Sequence, residues 1–183
     1  IKRNGVYDEI MGILNATGKR IVEFSGIMSN PTYAKVQEGA KLARASAMAE
    51  NGVLKIGKVS DFQAHQIQHQ LGAYTDCNHG AGLAVIHPVL YRHIYKSGTA
   101  RFTRWAQNVW GIAPKGSDEE TAAAGIDALA AFIKEIGLPT SFAELGIPAD
   151  TDFRAVADST NITASCCKKL TRDEICEILQ ECL

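Results

Sequence analysis

Long apolar runs are missing from this 183-residue chain. No stretch approaches the roughly 20 consecutive apolar residues that a bilayer-crossing helix needs, so no membrane partner is expected and a cytoplasmic protein is the default. An excess of one charge is also missing. Nineteen basic and 20 acidic residues leave a formal net charge of -1, which gives neither nucleic acid nor an anionic lipid surface anything to attract. A disulfide framework is missing as well. The five cysteines are an odd number without C-x-x-C spacing: Cys77 stands alone and Cys166, Cys167, Cys176 and Cys182 gather near the end, as in a reducing compartment. What is present, 46% hydrophobic and 21% charged residues, is ordinary globular composition and excludes a disordered chain.

Strand-forming sequence is scarce too. In the first part of the chain the only convincing short strand is Arg20 to Phe24, a β-branched and aromatic run closed by Ser25-Gly26. Before it, Val6, Ile10, Met11 and Leu14 recur near the helical period, and Gly18 sits where a helix stop is expected. After it, Asn30 can cap a helix beginning at Pro31 and running through Tyr33, Val36, Ala40 and Ala43. Helix, strand, helix is the repeating unit of a parallel α/β layer. One strand of about five residues cannot satisfy its own backbone N–H and C=O groups, so it calls for neighbouring strands that this sequence does not contain.

From Ala45 onward the pattern is almost wholly helical, with segments expected near Ala45 to Gly52, Val59 to Leu71, His79 to Ala100, Ala100 to Trp110, Asp118 to Ile136 and Asp150 to Ser159. A last helix follows Thr171, which with Glu174 has the capping-box pattern. Leu170, Ile175, Ile178, Leu179 and Leu183 are expected to share its buried face, with Cys176 and Cys182 as small, mostly buried residues. Phe142 and Leu145 in the connector LPTSFAELGIPAD are expected to tuck onto the bundle, Phe153 and Val156 to form one short apolar face, and Trp105 and Trp110 to pack between helices.

Chemistry concentrates in DFQAHQIQHQLGAYTDCNHGAGLAVIHP. His65 and His69 stand four apart, so on a helix both rings leave one face a turn apart. His79 follows the polar break Tyr74-Thr75-Asp76-Cys77-Asn78, where a loop can return it to that face. Neutral imidazoles so arranged are handles for a transition metal. The same spacing also suits exposed or backbone-bonded histidines, and spacing alone leaves both readings open. Asp61 and Asp76 receive no metal role, and His87 and His93 are left as structural.

The run HQIQHQLGAYTDCNHGAGLAVIHPVLY resembles the histidine motif of the iron-containing (group III) alcohol dehydrogenases, of the butanol dehydrogenase type. Asn4 to Tyr33, with NGVYDEIMGIL and KRIVEFSGIMSNPTY, is similar to that family's nucleotide-binding half, and the chain from Ala45 onward to its helical half. The resemblance implies a dehydroquinate synthase-like architecture: residues 1–43 a partial Rossmann-like α/β dinucleotide-binding domain, and residues 44–183 an α-helical metal-binding bundle. It also implies reversible hydride transfer between NAD or NADP and a small primary alcohol or aldehyde in a homodimer, on a divalent metal, iron first and zinc second. His65 and His79 are then metal ligands. His69 is the catalytic neighbour beside the nicotinamide, and Gly26 and Asn30, in the turn after the strand, are cofactor contacts. As strand terminator and helix cap, Gly26 and Asn30 are equally accounted for without a ligand.

Family members also carry a central stretch with a second glycine-rich loop, several parallel strands, and an aspartate and a further histidine of the metal site. None of these is in this sequence. The two halves meet near 42–46, which implies a piece of a longer enzyme, and the alternative is an inactive remnant serving a structural or interaction role. A second alternative is the related glycerol dehydrogenase and dehydroquinate synthase group, against which the HGAGLA stretch and the NGVYDEI opening speak.

Overall fold

A computed structural model describes residues 11–13, 15–16, 33–50, 56–58, 60–162 and 165–183. Its contacts divide the chain into two units, Ile1–Lys58 and Val59–Leu183, each considered by itself. In the first unit residues 11–13 and 15 are helical, and α1 spans Tyr33–Glu50. This helix runs unbroken through 42–46, so the segment expected to begin at Ala45 continues a helix already under way. The expected strand Arg20–Phe24, with Gly26 and Asn30 after it, lies outside the described residues. Among the described residues there is no strand: the all-helical part of the expected architecture is present, and the Rossmann-like part is not seen there.

The second unit is a helical bundle of α2 (Gln63–Thr75), α3 (His79–Ile94), a 3-10 turn (Tyr95–Gly98), α4 (Thr99–Trp110), α5 (Asp118–Glu135), α6 (Phe153–Ser159) and α7 (Arg172–Glu181). Its termini are written in local chemistry. Ser117 and Thr171 each close a capping box with the glutamate three residues on, Glu120 and Glu174, so two otherwise unpaired donors are satisfied at each start. Asp152 caps α6 by accepting from Ala155 N at 2.9 Å, which moves its start from the expected Asp150 to Phe153. At the end of α4, Gly111 takes the left-handed conformation, φ 66°, that glycine adopts most readily. The single long helix expected over His79 to Ala100 tightens into the 3-10 turn at Tyr95 and restarts at Thr99.

Helices α2, α3, α6 and α7 pack around one core, and α4 and α5 pair beside α3. Ile67, Leu71, Ile86, Phe142, Val156, Ile175, Ile178 and Leu179 are fully buried in that core. Burying each such side chain contributes about 1.5–3 kcal/mol. Phe142 is buried and Leu145 packs against the same cluster, as the connector sequence predicts. Phe142 N–H also donates to Cys182 O at 2.6 Å, tying the connector to the end of α7. Leu183 departs from its expected place: it lies past the last helical turn and is 43% exposed, while Cys182 is the residue that closes the core. Trp105 and Trp110 meet edge to face at 5.8 Å as packing residues.

Candidate metal centre

Helix α2 starts later and ends later than its apolar spacing suggests, and both ends bear on the centre. At the start, Asp61 Oδ1 accepts from Gln63 N at 3.1 Å, so the first turn forms at Gln63 and not at Val59. At the end, Asp76 adopts φ 53° and its N–H donates to Gly72 O at 2.8 Å, a left-handed cap that stops the helix and turns the chain. Two residues on, Asn78 caps α3 by accepting from Ala81 N at 3.1 Å. The turn is so short that His79, the first residue of α3, comes back beside His65 and His69.

The three imidazoles converge. Their ligand atoms lie within 4.8 Å of one another, and the ring centres stand 6.2 Å apart for His65 and His69, 5.3 Å for His65 and His79, and 5.0 Å for His69 and His79. His65 is half-buried, with Phe62 stacked on its ring at 4.2 Å; His69 and His79 are exposed. Two nitrogens each about 2.1 Å from a tetrahedral ion stand about 3.4 Å apart, so a pair at the 4.8 Å limit has to close by about 1.4 Å, within reach of side-chain rotation. This donor set fits a borderline transition metal such as iron, zinc, nickel or cobalt.

No carboxylate joins the cluster among the described residues. The Asp61 carboxylate is occupied by Gln63 N, by Gln63 Nε2 at 3.2–3.3 Å and by Cys167 N at 2.8 Å, and Asp76 is the helix cap. Among the described residues neither Asp61 nor Asp76 groups with the three imidazoles. His93 pairs with Glu181 at 3.1 Å, away from the cluster. His87 is closer than its place in the sequence suggests: its ring centre is 6.2 Å from that of His65, while its Nδ1 bonds to Leu83 O at 2.8 Å. Burial holds the His87 imidazole below its ordinary pKa, an effect its bond to Leu83 O partly offsets. His79 is lowered as well, by burial first and by the charge of His69 second. Both shifts favour the neutral ring, the form that binds metal.

One contributor was not singled out from the sequence. Gln68 is 2% exposed and meets His79 Nδ1 through its Oε1, while its Nε2 reaches Cys77 Sγ at 3.7 Å. The signal was present in the spacing: 64, 67, 68 and 71 are the i, i+3, i+4, i+7 stripe of α2, so Gln68 occupies a core position between Ala64, Ile67 and Leu71. Gly26 and Asn30, the expected cofactor contacts, lie outside the described residues.

Residues 21–183 match the C-terminal part of the Fe-containing alcohol dehydrogenase family. NADH-dependent butanol dehydrogenase A of Clostridium acetobutylicum is 31% identical over 140 residues, which is 76% of this chain and 36% of that protein. NADPH-dependent aldehyde reductase YqhD of Escherichia coli K12 is 31% identical over 108 residues, 59% of this chain and 28% of that one. Among solved structures, NADH-dependent butanol dehydrogenase A from Thermotoga maritima superposes with a TM-score of 0.70 at 30% identity, covering 78% of this chain and 38% of its own. The chain thus spans little more than a third of the length of these butanol dehydrogenases. With the helical bundle, the histidine cluster and a match over most of its length in agreement, the chain belongs to the Fe-containing alcohol dehydrogenase family.

Proposed function

We propose that this chain is the metal-binding, substrate-facing part of an NAD(P)-dependent alcohol dehydrogenase that interconverts a small primary alcohol and its aldehyde. The observation that carries the reading is the convergence of His65, His69 and His79 on one volume at the α2–α3 turn. His65 and His79 would hold a divalent ion, iron first and zinc second, and an aspartate and a further histidine outside the described residues would complete the set. When bound, the ion would supply Lewis acidity at the substrate oxygen, and the nicotinamide would be the hydride carrier.

His69, one turn from His65 on the same face, lines the approach of nicotinamide and substrate and exchanges the alcohol proton with solvent. Its exposure suits that exchange. Phe62, stacked on His65, limits the positions that ring can take. Residues 1–43 contribute part of a Rossmann-like nucleotide-binding layer, with Gly26 and Asn30 touching the cofactor, and residues 44–183 the metal-binding bundle. A cytoplasmic homodimer completes the proposal. Relatives that use NADH and NADPH are both represented, so either cofactor is compatible with the reading.

The test separates ligands from neighbour. Metal content and alcohol-dependent NAD(P) reduction are measured for the protein and for its His65→Ala, His79→Ala and His69→Ala variants. His65→Ala and His79→Ala are expected to lose metal and turnover together, whereas His69→Ala keeps its metal and loses turnover by about 10²–10⁴-fold. Metal retained in His79→Ala, or lost equally in His69→Ala, would sink the assignment.

A further inference from the structure

We infer that Gln68 is the positioning residue that selects which nitrogen His79 presents to the centre; this deepens the proposed function and rests on reading His65 and His79 as metal ligands. A buried amide in an apolar stripe is destabilising when left unsatisfied, so a glutamine at a core position calls for partners at both ends. Both ends are engaged. Oε1 faces His79 Nδ1, and Nε2 faces the Cys77 thiol at 3.7 Å.

The surrounding chain keeps room for this one side chain. A Cβ on Gly82 of α3 would lie 3.0 Å from Gln68 Nε2 and 3.1 Å from its Cγ, and one on Gly72 of α2 would lie 3.4 Å from Nε2. Glycines from both helices and a cysteine from the turn thus seat a single amide between α2 and α3. With Nε2 toward sulfur, the carbonyl oxygen is left for the imidazole. An acceptor there keeps the proton on Nδ1 and leaves the Nε2 lone pair of His79 free to join His65 at the ion. The partner is moreover an uncharged amide: unlike a carboxylate, it fixes the ring without adding negative charge to the centre.

Tautomer and affinity can be read separately. Imidazole ¹⁵N NMR of the metal-free protein reports the His79 tautomer, and titration with Co²⁺ alone reports affinity and, through its visible absorption, geometry. The wild type is expected to carry the His79 proton on Nδ1. Gln68→Leu is expected to release the ring to the Nε2–H form and weaken Co²⁺ binding about 10–100-fold. Gln68→Glu, which keeps an acceptor, is expected to restore the tautomer and most of the affinity. An Nε2–H tautomer in the wild type, or Co²⁺ binding by Gln68→Leu as tight as wild type, would overturn the inference. The expected tautomer in a wild type that binds no Co²⁺ would support the role of Gln68 and refute instead the reading of His65 and His79 as a metal-holding pair within this chain.

Discussion

Replacing Gly82 by alanine ought to stabilise a helix, and in this protein it is expected to do the opposite. Gly82 is buried within α3, where Gly→Ala ordinarily gains about 1 kcal/mol of helix propensity. The new methyl would lie 3.0 Å from Gln68 Nε2 and 3.1 Å from Gln68 Cγ. Cγ is held close to the α2 backbone, so it cannot step aside as a side-chain tip would. Overpacking costs about 1–3 kcal/mol, and a Gln68 forced off His79 leaves a buried amide short of a partner at about 1–3 kcal/mol more. The net is a loss of about 1–5 kcal/mol. In a chain of this size that lowers Tm by about 2–4 °C for each kcal/mol. Urea unfolding of four proteins decides the matter: wild type, Gly82→Ala, Gln68→Ala and the double variant. Without the Gln68 side chain the nearest remaining atom is Cys77 Sγ at 3.5 Å, an ordinary contact, so in the Gln68→Ala background Gly82→Ala should stabilise by up to about 1 kcal/mol. The same sign in both backgrounds would refute the claim that these glycines exist to seat Gln68.

The pH dependence of stability follows from His87, whose folded pKa lies below the ordinary 6.5 because of burial. The unfolded chain then binds more protons, so stability is full above about pH 6.5 and falls as pH drops toward the folded value; His87→Leu should flatten this slope in urea melts at neutral pH and near pH 5, and an unchanged slope would exclude His87 as its source. Glu174 acts in a separate, more acidic window: its ion pair with Lys168 at 2.5 Å lowers its pKa below 4.5, so its contribution is lost only as pH falls through and below that value. Thr171→Ala removes the other half of that capping box and should cost about 0.5–2 kcal/mol in the same melts, against no loss if the cap is idle. Thiol labelling should separate the cysteines by burial: Cys182, 2% exposed and pushed up to about 12 by burial, should react only on unfolding, well after the exposed Cys167, and alkylation at equal rates would contradict its place in the core.

Helix content and helix starts were legible because the interactions that set them span three or four residues. Thr171 with Glu174 is a capping box on inspection, and Ile175, Ile178 and Leu179 read as one face before any partner is known. Leu183 was misjudged because periodicity carries on past the point where a chain stops being helical. Helix α2 was placed about four residues too early because the Asp61 carboxylate, by taking the Gln63 N–H, outweighs the apolar pattern around Val59. The break after Tyr74 is legible in its polar residues, yet its geometry hangs on one left-handed residue, Asp76; aspartate favours that conformation more than most residues, but its type alone does not fix it.

By itself, the sequence determined the helical bundle and the identity of the three histidines, since residue type and spacing along one chain are all those features need. Whether the histidines meet was left to tertiary structure. His65 and His69 share a helix face by spacing alone, but His79 joins them only because α2 and α3 pack side by side and the Asp76–Asn78 turn is short enough to reverse the chain within it. The partner of His79 was decided there too. Gln68 faces that ring across a helix–helix contact and in space opened by glycines on both helices, a relation between residues distant along the chain that one-dimensional spacing cannot encode.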